Sequence, residues 1–424
     1  MKLIITEKNF KKIILFFFVF ATLFPTIRII TIGSQTSQNF GEYIFSVLPE
    51  ILSVFVILFT VLLFYKNNIE IKLKIYDWLI IAFMISNVIL GTYLAQNLFI
   101  SMYGIRMTYY PIIFYFIFRF GNIKLIESLI HTIFIWFFIV GIIGFILYFG
   151  FYDLMLIMIK KTSPIIPEYF IVRMTSVFWT PVVFSTFMVI TFAYFYHLFL
   201  KAPKWYYFLI LGMIWCCIIL SVSRGALVVL VVGFISLSVI HKKWKHALEI
   251  LILLIVIFIA LGYFISSPLL LSSWIAKSAS ETVGLKEGVT RVDLWLKAFE
   301  NFETHPFGFG LGKAGHVATR FFNEETQNVT IYATDGWYLK TANETGLWGL
   351  LSYLFLALYF FVLFIKNKLL KNKESILIVF FVIFLMVNIQ NIVSNVLDFY
   401  LFSYLYWGFI GLTLNIIYYK KKLI

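Results

Sequence analysis

Charged residues are scarce in this sequence. Asp, Glu, Lys and Arg make up 13% of the 424 residues, whereas a typical soluble domain has roughly a quarter. Apolar residues make up 62% and aromatic residues 20%, more apolar surface than a water-soluble fold can bury. The composition excludes a soluble globular protein and predicts an integral membrane protein.

Cysteine is also rare, with two adjacent residues, Cys216 and Cys217, inside an apolar run. Neighbouring residues on a helix point in different directions, so the pair predicts neither a disulfide framework nor a metal site. No spacing in the sequence resembles a metal site, and no phosphate-binding loop or nucleotide-binding fold is supported. We therefore expect no metal and no cofactor.

Acidic residues number only 20 against 34 Lys and Arg, which gives a net charge of +14. Most of the basic residues collect in short clusters between apolar runs, as in the cytoplasmic loops of membrane proteins. The clusters lie at residues 2–12, 66–74, 119–124, 201–204, 242–245, 366–373 and 420–422. This placement argues against nucleic acid as a partner and predicts that both termini are cytoplasmic.

A membrane-spanning helix needs about 20 apolar residues. Runs of suitable length lie near 12–32, 43–65, 76–92, 98–118, 128–150, 179–200, 206–222, 225–240, 247–265, 346–365, 375–395 and 399–418. An even number of spans is needed to bring the last basic cluster inside, and twelve place every cluster there. The predicted fold is all-α and polytopic, with about twelve transmembrane helices.

One long hydrophilic segment interrupts this pattern. We expect residues 1–265 to hold the first nine transmembrane helices, residues 266–345 to form a large extracytoplasmic catalytic loop, and residues 346–424 to hold the last three helices. Function tends to concentrate in such loops. No internal repeat of the kind found in many transporters is evident.

Several motifs lie on the predicted outer side. The long loop contains Arg291 with Trp295, then residues 305–312 with the sequence His-Pro-Phe-Gly-Phe-Gly-Leu-Gly, then Asp335-Gly336. Glycine is used where the chain turns sharply or approaches a ligand closely. A short hairpin at 221–225 has the sequence Ser-Val-Ser-Arg-Gly. We expect the chemistry of the protein to reside in these segments.

In this order, the motifs resemble those of the O-antigen ligase and polymerase family of bacterial envelope glycosyltransferases. The resemblance covers roughly residues 206–365 and implies an architecture similar to the GT-C type. The ligase branch carries a histidine followed by Asn, Ser or Gln where this chain has Asp335-Gly336. Polymerase members vary here and include acidic residues, so the resemblance favours a polymerase.

The resemblance implies three catalytic residues. Asp335 would act as the general base on a sugar hydroxyl, although an Asp before a helix can also serve as an N-cap. Arg224 and Arg291 would bind the pyrophosphate of a lipid-linked sugar, because the guanidinium group is a planar fork of donors. The alternatives are membrane-surface snorkelling for Arg224 and a surface salt bridge for Arg291.

Four further residues are candidate substrate-binding groups: Arg106, Arg173, His305 and Glu344. Arg106 interrupts an apolar span, and an ionisable residue inside a membrane is by default a functional candidate, the alternative being a buried structural pair. His305 can equally structure the loop beside Pro306. Glu344 can pair with Lys340 at the four-residue helical spacing.

The function implied is the polymerisation of polyprenyl-pyrophosphate-linked oligosaccharide repeat units into O-antigen, capsule or exopolysaccharide. The enzyme would be a metal-independent, inverting glycosyltransferase of the bacterial cytoplasmic membrane. Its expected partners are the lipid-linked oligosaccharides, membrane lipids, and a chain-length regulator and flippase. The alternatives are a ligase that transfers glycan to a lipid or protein acceptor, and a lipid-linked sugar transporter or flippase.

Overall fold

The computed structural model describes residues 6–32, 47–69, 71–155, 157, 173–264, 291–315, 318, 336–367 and 375–422. The regular elements in these ranges are helices, which confirms the predicted all-α class. A helix satisfies its own backbone hydrogen-bonding groups, as the interior of a bilayer requires.

The α-helices are numbered here in chain order. They are α1 (Glu7–Ile32), α2 (Leu48–Lys66), α3 (Ile75–Ala95), α4 (Leu98–Thr108), α5 (Ile113–Phe120), α6 (Ile123–Gly150), α7 (Pro181–Lys201), α8 (Trp205–Leu220), α9 (Arg224–His241), α10 (Trp244–Phe264), α11 (Arg291–Thr304), α12 (Trp337–Lys366), α13 (Leu377–Val393) and α14 (Tyr400–Lys422). Short 3-10 helices cover Tyr110–Ile112, Ser176–Phe178 and Val396–Asp398.

Among the described residues, eight helices are long and apolar enough to cross a membrane, and α8 and α13 are shorter apolar helices. The chain is a multi-pass membrane protein, as predicted. The number of twelve spans stays a prediction. The apolar run at 98–118 is interrupted rather than continuous, because it contains Pro111, which has no N–H to donate within a helix.

The chain divides into two compact units. The first unit comprises Met1–Glu70, Ile117–Trp274 and Leu414–Ile424. Within it, α7 is buried along most of its length and packs against α8 and α9, while α1 packs against α2 and α6. Asn415 donates to the carbonyls of Phe118 (3.1 Å) and Gly121 (2.8 Å), so its side chain caps the end of α5.

The second unit comprises Ile71–Phe116 and Ile275–Thr413. Its central element is α12, which packs against α3, α11 and α13. This helix starts at Trp337, nine residues before the predicted span at 346–365, and it breaks at Gly346, where φ is 66° and ψ is −157°. Most of the residues between the start of α12 and the break are buried in the unit.

Candidate functional site

The segment with alternating glycines lies directly on the break in α12. A helix interruption leaves backbone groups without their usual partners, and residues 306–310 supply them. Asn343 and Glu344 accept the backbone N–H groups of Phe309 (2.7 Å) and Gly310 (2.9 Å), and the N–H of Leu347 donates to Pro306 (2.8 Å). The loop and the broken helix therefore form one hydrogen-bonded element, the glycine loop, defined here as residues 305–315.

Glycine is required at three positions of this loop by both conformation and space. Gly308, Gly310 and Gly312 have φ values of 84°, 105° and 80°, in the region that L side chains rarely adopt. A Cβ at Gly310 would lie 2.1 Å from the backbone nitrogen of Ala95, and one at Gly312 would lie 2.4 Å from the carbonyl of Ile100. The alternating pattern lets the loop backbone pack directly against α3 and α4.

Three charged side chains are buried beneath the loop. The Lys340 Nζ atom lies 2.5 Å from Asp398 Oδ1, 2.8 Å from Thr108 Oγ1 and 3.7 Å from Glu344 Oε2. The charged residues are each 2% exposed or less. Burying charges is costly unless they are paired and hydrogen-bonded. We call Thr108, Lys340, Glu344 and Asp398 the buried ionic cluster.

The expected pairing of Lys340 with Glu344 at helical spacing is present, and Glu344 has a second set of contacts. Its carboxylate accepts the backbone N–H of Gly312 (2.9 Å) and that of Ala314. A carboxylate that accepts two amides and pairs with an ammonium group has part of its charge compensated. In the described structure, Glu344 therefore connects the glycine loop to the buried ionic cluster.

Gly336 is the first described residue after the predicted base. Asp335 itself lies outside the described residues. The N–H of Gly336 donates to Asn395 Oδ1 (3.1 Å), and its carbonyl accepts from the N–H of Lys340 (3.0 Å). Both backbone hydrogen-bonding groups of Gly336 are thus engaged.

In the first unit, Arg224 is the first residue of α9 and its side chain is exposed. The turn before it contains Val222 with a φ of 51°, a strained conformation for a β-branched residue. Arg173 holds this turn, because its Nε donates to the carbonyl of Ser221 and one Nη to that of Val222, both at 2.8 Å. The described contacts of Arg173 thus support the segment that presents Arg224.

We expect Arg173→Lys to lower the rate of glycosyl transfer about tenfold. Lysine cannot donate to both carbonyls in the fixed fork geometry of arginine, and a charged hydrogen bond contributes about 1.5–3 kcal/mol. The measurement is the initial rate of glycosyl transfer in isolated membranes, normalised to the amount of the protein. Arg173→Ala should be at least as slow. A Lys variant as fast as the wild type would contradict the turn-holding role.

Arg106 lies on α4, two residues before Thr108. Successive helical residues are about 100° apart, so Arg106 faces away from the side of α4 that meets Lys340. Its guanidinium group lies 5.1 Å from the centre of the Tyr103 ring, and the residue is half-buried. The structure thus places Arg106 on the helix that flanks the glycine loop, but on another face from the cluster.

His305 directly follows α11 and is the first residue of the glycine loop. Its N–H donates to Asn301 (2.9 Å), its carbonyl accepts from Gly308 (2.8 Å), and its Nδ1 lies 2.9 Å from Thr304 Oγ1. The side chain is exposed and its ring centre lies 4.3 Å from that of Phe309. These contacts match the loop-structuring alternative.

Arg291 is the first residue of α11, and its side chain lies outside the described residues. In this helix Ala298 is buried, Leu296 and Phe299 are more than half exposed, and α11 packs against α12. The backbone of Arg291 therefore belongs to a helix that is anchored on the element carrying the glycine loop.

Sequence reasoning did not single out Asn395, Asp398 or Lys313. Asn391 and Asn395 lie at the end of the apolar run at 375–395, and Asp398 lies between that run and the next. This concentration of polar residues is the sequence signal for Asn395 and Asp398. Lys313 lies in the glycine loop, and partial burial lowers its pKa. Its position adds a cationic group to the candidate site.

Within the ranges that the structure describes, no group of three or more His, Cys, Asp or Glu side chains is arranged to hold a metal ion. Residues 206–354 match a family model described as O-antigen ligase. The matched region contains the Arg224 hairpin, the glycine loop and the break in α12, and it supports the resemblance stated above. No curated protein matches the chain.

Proposed function

We propose that the chain polymerises polyprenyl-pyrophosphate-linked oligosaccharide repeat units on the outer face of the bacterial cytoplasmic membrane. The match of residues 206–354 to a family model described as O-antigen ligase supports this proposal. The observation that carries the proposal is the glycine loop on the broken helix α12, a helix that begins two residues after Asp335 in the sequence. The family supports a glycosyl-transfer enzyme with lipid-linked substrates.

In the proposed reaction, a hydroxyl of one lipid-linked unit attacks the anomeric carbon of the sugar that is attached to a second lipid pyrophosphate. A new glycosidic bond forms as the bond between the anomeric carbon and the phosphate oxygen breaks. The hydroxyl proton passes to the carboxylate of Asp335, and the lipid pyrophosphate leaves with the bonding electrons. A single displacement of this kind inverts the anomeric configuration and needs no metal ion.

Arg291 and Arg224 have the proposed role of neutralising charge on the departing pyrophosphate. Preorganised charge at the place where negative charge develops is usually the largest single catalytic contribution. Arg106, Arg173, His305 and Glu344 are proposed to serve the substrate site. The contacts of Arg173 and Glu344 favour indirect roles, since Arg173 holds the turn before Arg224 and Glu344 holds the backbone of the glycine loop.

Ligation to a lipid or protein acceptor is the second candidate, because the matched family model is described as O-antigen ligase. The glycans of a deletion strain distinguish a polymerase from a ligase. If the chain is a polymerase, the strain should lack long glycan and carry single repeat units on the usual acceptor. Long, lipid-linked glycan that accumulates without reaching its acceptor would instead assign ligation. A chain-length regulator and a flippase are proposed partners of the polymerase.

A further inference from the structure

An apolar cavity of about 200 Å³ lies between α8, α9 and α10 in the first unit. The side chains that line it are apolar or aromatic, and they include Trp215 from α8, Val231 and Phe234 from α9, and Leu254, Ile255 and Phe258 from α10. An apolar cavity of about 150 Å³ is large enough to bind a hydrocarbon of the size of benzene. The cavity therefore has room for a segment of a hydrocarbon chain.

The cavity opens towards lipid. Val231, Ile255 and Phe258 are 54%, 50% and 42% exposed, whereas Leu254 is buried. Since α9 is long and apolar enough to cross a membrane, its exposed apolar residues face hydrocarbon. The Nε1 of Trp215 donates to the carbonyl of Leu254 (2.8 Å), which satisfies the indole N–H and joins α8 to α10 beside the cavity. A lipid chain can therefore enter the cavity from the side and meet a fixed aromatic wall.

A cationic side chain is aligned with the cavity on the same helix. Arg224 begins α9, seven residues before Val231, and its side chain is exposed. Seven residues differ from two full helical turns by about 20°, so both residues lie on one face of α9. At 1.5 Å per residue, they are about 10 Å apart along the helix axis. This arrangement suits a ligand with an anionic head and an apolar chain.

The chemistry of the two features favours a polyprenyl pyrophosphate over a bulk phospholipid. A linear acyl chain packs on any lipid-facing helix and needs no cavity. A polyprenyl chain carries a methyl branch on each isoprene unit, and such branches fill a local widening whose lining would otherwise lose dispersion contacts. The guanidinium group of Arg224 offers a planar fork of donors that matches phosphate oxygens.

We propose that the apolar cavity binds the polyprenyl chain of the lipid-linked substrate next to its pyrophosphate, while Arg224 contacts the pyrophosphate itself. The inference rests on the polymerase function proposed above and adds a binding site for the lipid. The two contacts belong to one molecule, so the chain in the cavity raises the effective concentration of the pyrophosphate at Arg224. The site therefore selects substrates by the length of the lipid as well as by its charge.

The first part of the test measures binding to the purified protein in bilayer discs of phosphatidylcholine. The probe is a polyprenyl pyrophosphate with a photoreactive diazirine on the isoprene units nearest the pyrophosphate. We expect crosslinks to the cavity residues of α9 and α10, and excess unlabelled polyprenyl pyrophosphate should prevent them. Val231→Trp places a large ring in the cavity and should lower the affinity about tenfold, equivalent to about 1.4 kcal/mol. Val239→Trp is the matched control, because Val239 is 49% exposed on the same helix and does not line the cavity.

The second part compares KM for two substrates, the polyprenyl-linked repeat unit and an analogue with a single isoprene unit, which is too short to reach the cavity from Arg224. Val231→Trp should raise KM about tenfold for the polyprenyl substrate and leave KM for the short analogue unchanged. Val239→Trp should change neither value. If Val231→Trp does not fold, Ile255→Trp fills the cavity from α10, and the same split between the two substrates is expected.

Crosslinks only outside the three helices, or none, would overturn the inference, as would an equal rise in KM for both substrates. Labelling of the cavity by a photoreactive phosphatidylcholine that polyprenyl pyrophosphate does not displace would also overturn it, because the cavity would then hold bulk lipid. Capture of the probe in the cavity without polymer formation by the wild-type protein would count against the polymerase function and leave the lipid site in place.

Discussion

Arg291→Ala is expected to stop chain extension, with a loss of about 100- to 1,000-fold in kcat, the range seen when one group that stabilises transition-state charge is removed. In the proposed reaction the leaving group is a lipid pyrophosphate, and no proton donor is proposed to assist its departure. A guanidinium group at the start of α11 would supply the compensating charge. The measurement is the rate of polymer formation by reconstituted protein.

Arg291→Lys should retain part of the activity, because it keeps the charge but loses the planar fork. Lys204→Ala is the control for loss of a positive charge, since Lys204 is exposed and its described contact is with the ring of Tyr206, 5.7 Å away. The Lys204→Ala variant should make polymer at the wild-type rate. Long polymer made at the wild-type rate by Arg291→Ala would remove this residue from the mechanism.

Gly310→Ala is expected to lower activity about 100-fold, because a shift of about 1 Å in a catalytic segment can have that effect. The new Cβ would lie 2.1 Å from the nitrogen and 2.2 Å from the Cα of Ala95, and backbone atoms cannot rotate away as a side chain can. A φ of 105° costs a further 1–3 kcal/mol, roughly, for a residue other than glycine. The loop must therefore leave α3 and lose its bond to Glu344.

Gly150→Ala is the matched control, since a Cβ at that position meets no atom within 4 Å. It should leave both the rate and the melting temperature unchanged, whereas Gly310→Ala should lower both. The comparison uses the polymerisation rate per folded molecule, with melting followed by intrinsic fluorescence. A wild-type polymerisation rate and melting temperature for Gly310→Ala would show that the close packing of the glycine loop on α3 is not needed for activity or stability.

Much of the architecture could be predicted from the sequence because the bilayer imposes a strong pattern. Apolar runs of about 20 residues mark helices, and the described helices α1 to α10 and α12 to α14 each fall on a predicted run, with the run at 98–118 divided between α4 and α5. The three alternating glycines were recognisable as a tight segment, since few other patterns force positive φ values so closely together.

The partner of the glycine loop was not predictable in the same way. The sequence analysis placed the boundary between the long loop and the next apolar span at residues 345 and 346. Only the structure shows that α12 extends across this boundary, breaks at Gly346 and pairs with the glycine loop. Local spacing pointed to the contact of Lys340 with Glu344, but its shorter contact is with Asp398, 58 residues away. A contact between residues this far apart in the chain produces no regular spacing that a single sequence could reveal.

The most direct test of the polymerase assignment is reconstitution of the purified protein with a synthetic lipid-pyrophosphate repeat unit as the sole substrate. We expect a ladder of products that grow by one repeat unit, with release of lipid pyrophosphate, and loss of both in Asp335→Ala. No ladder from wild-type protein with an intact substrate, together with glycan transfer once a separate lipid or protein acceptor is added, would contradict polymerisation and assign ligation.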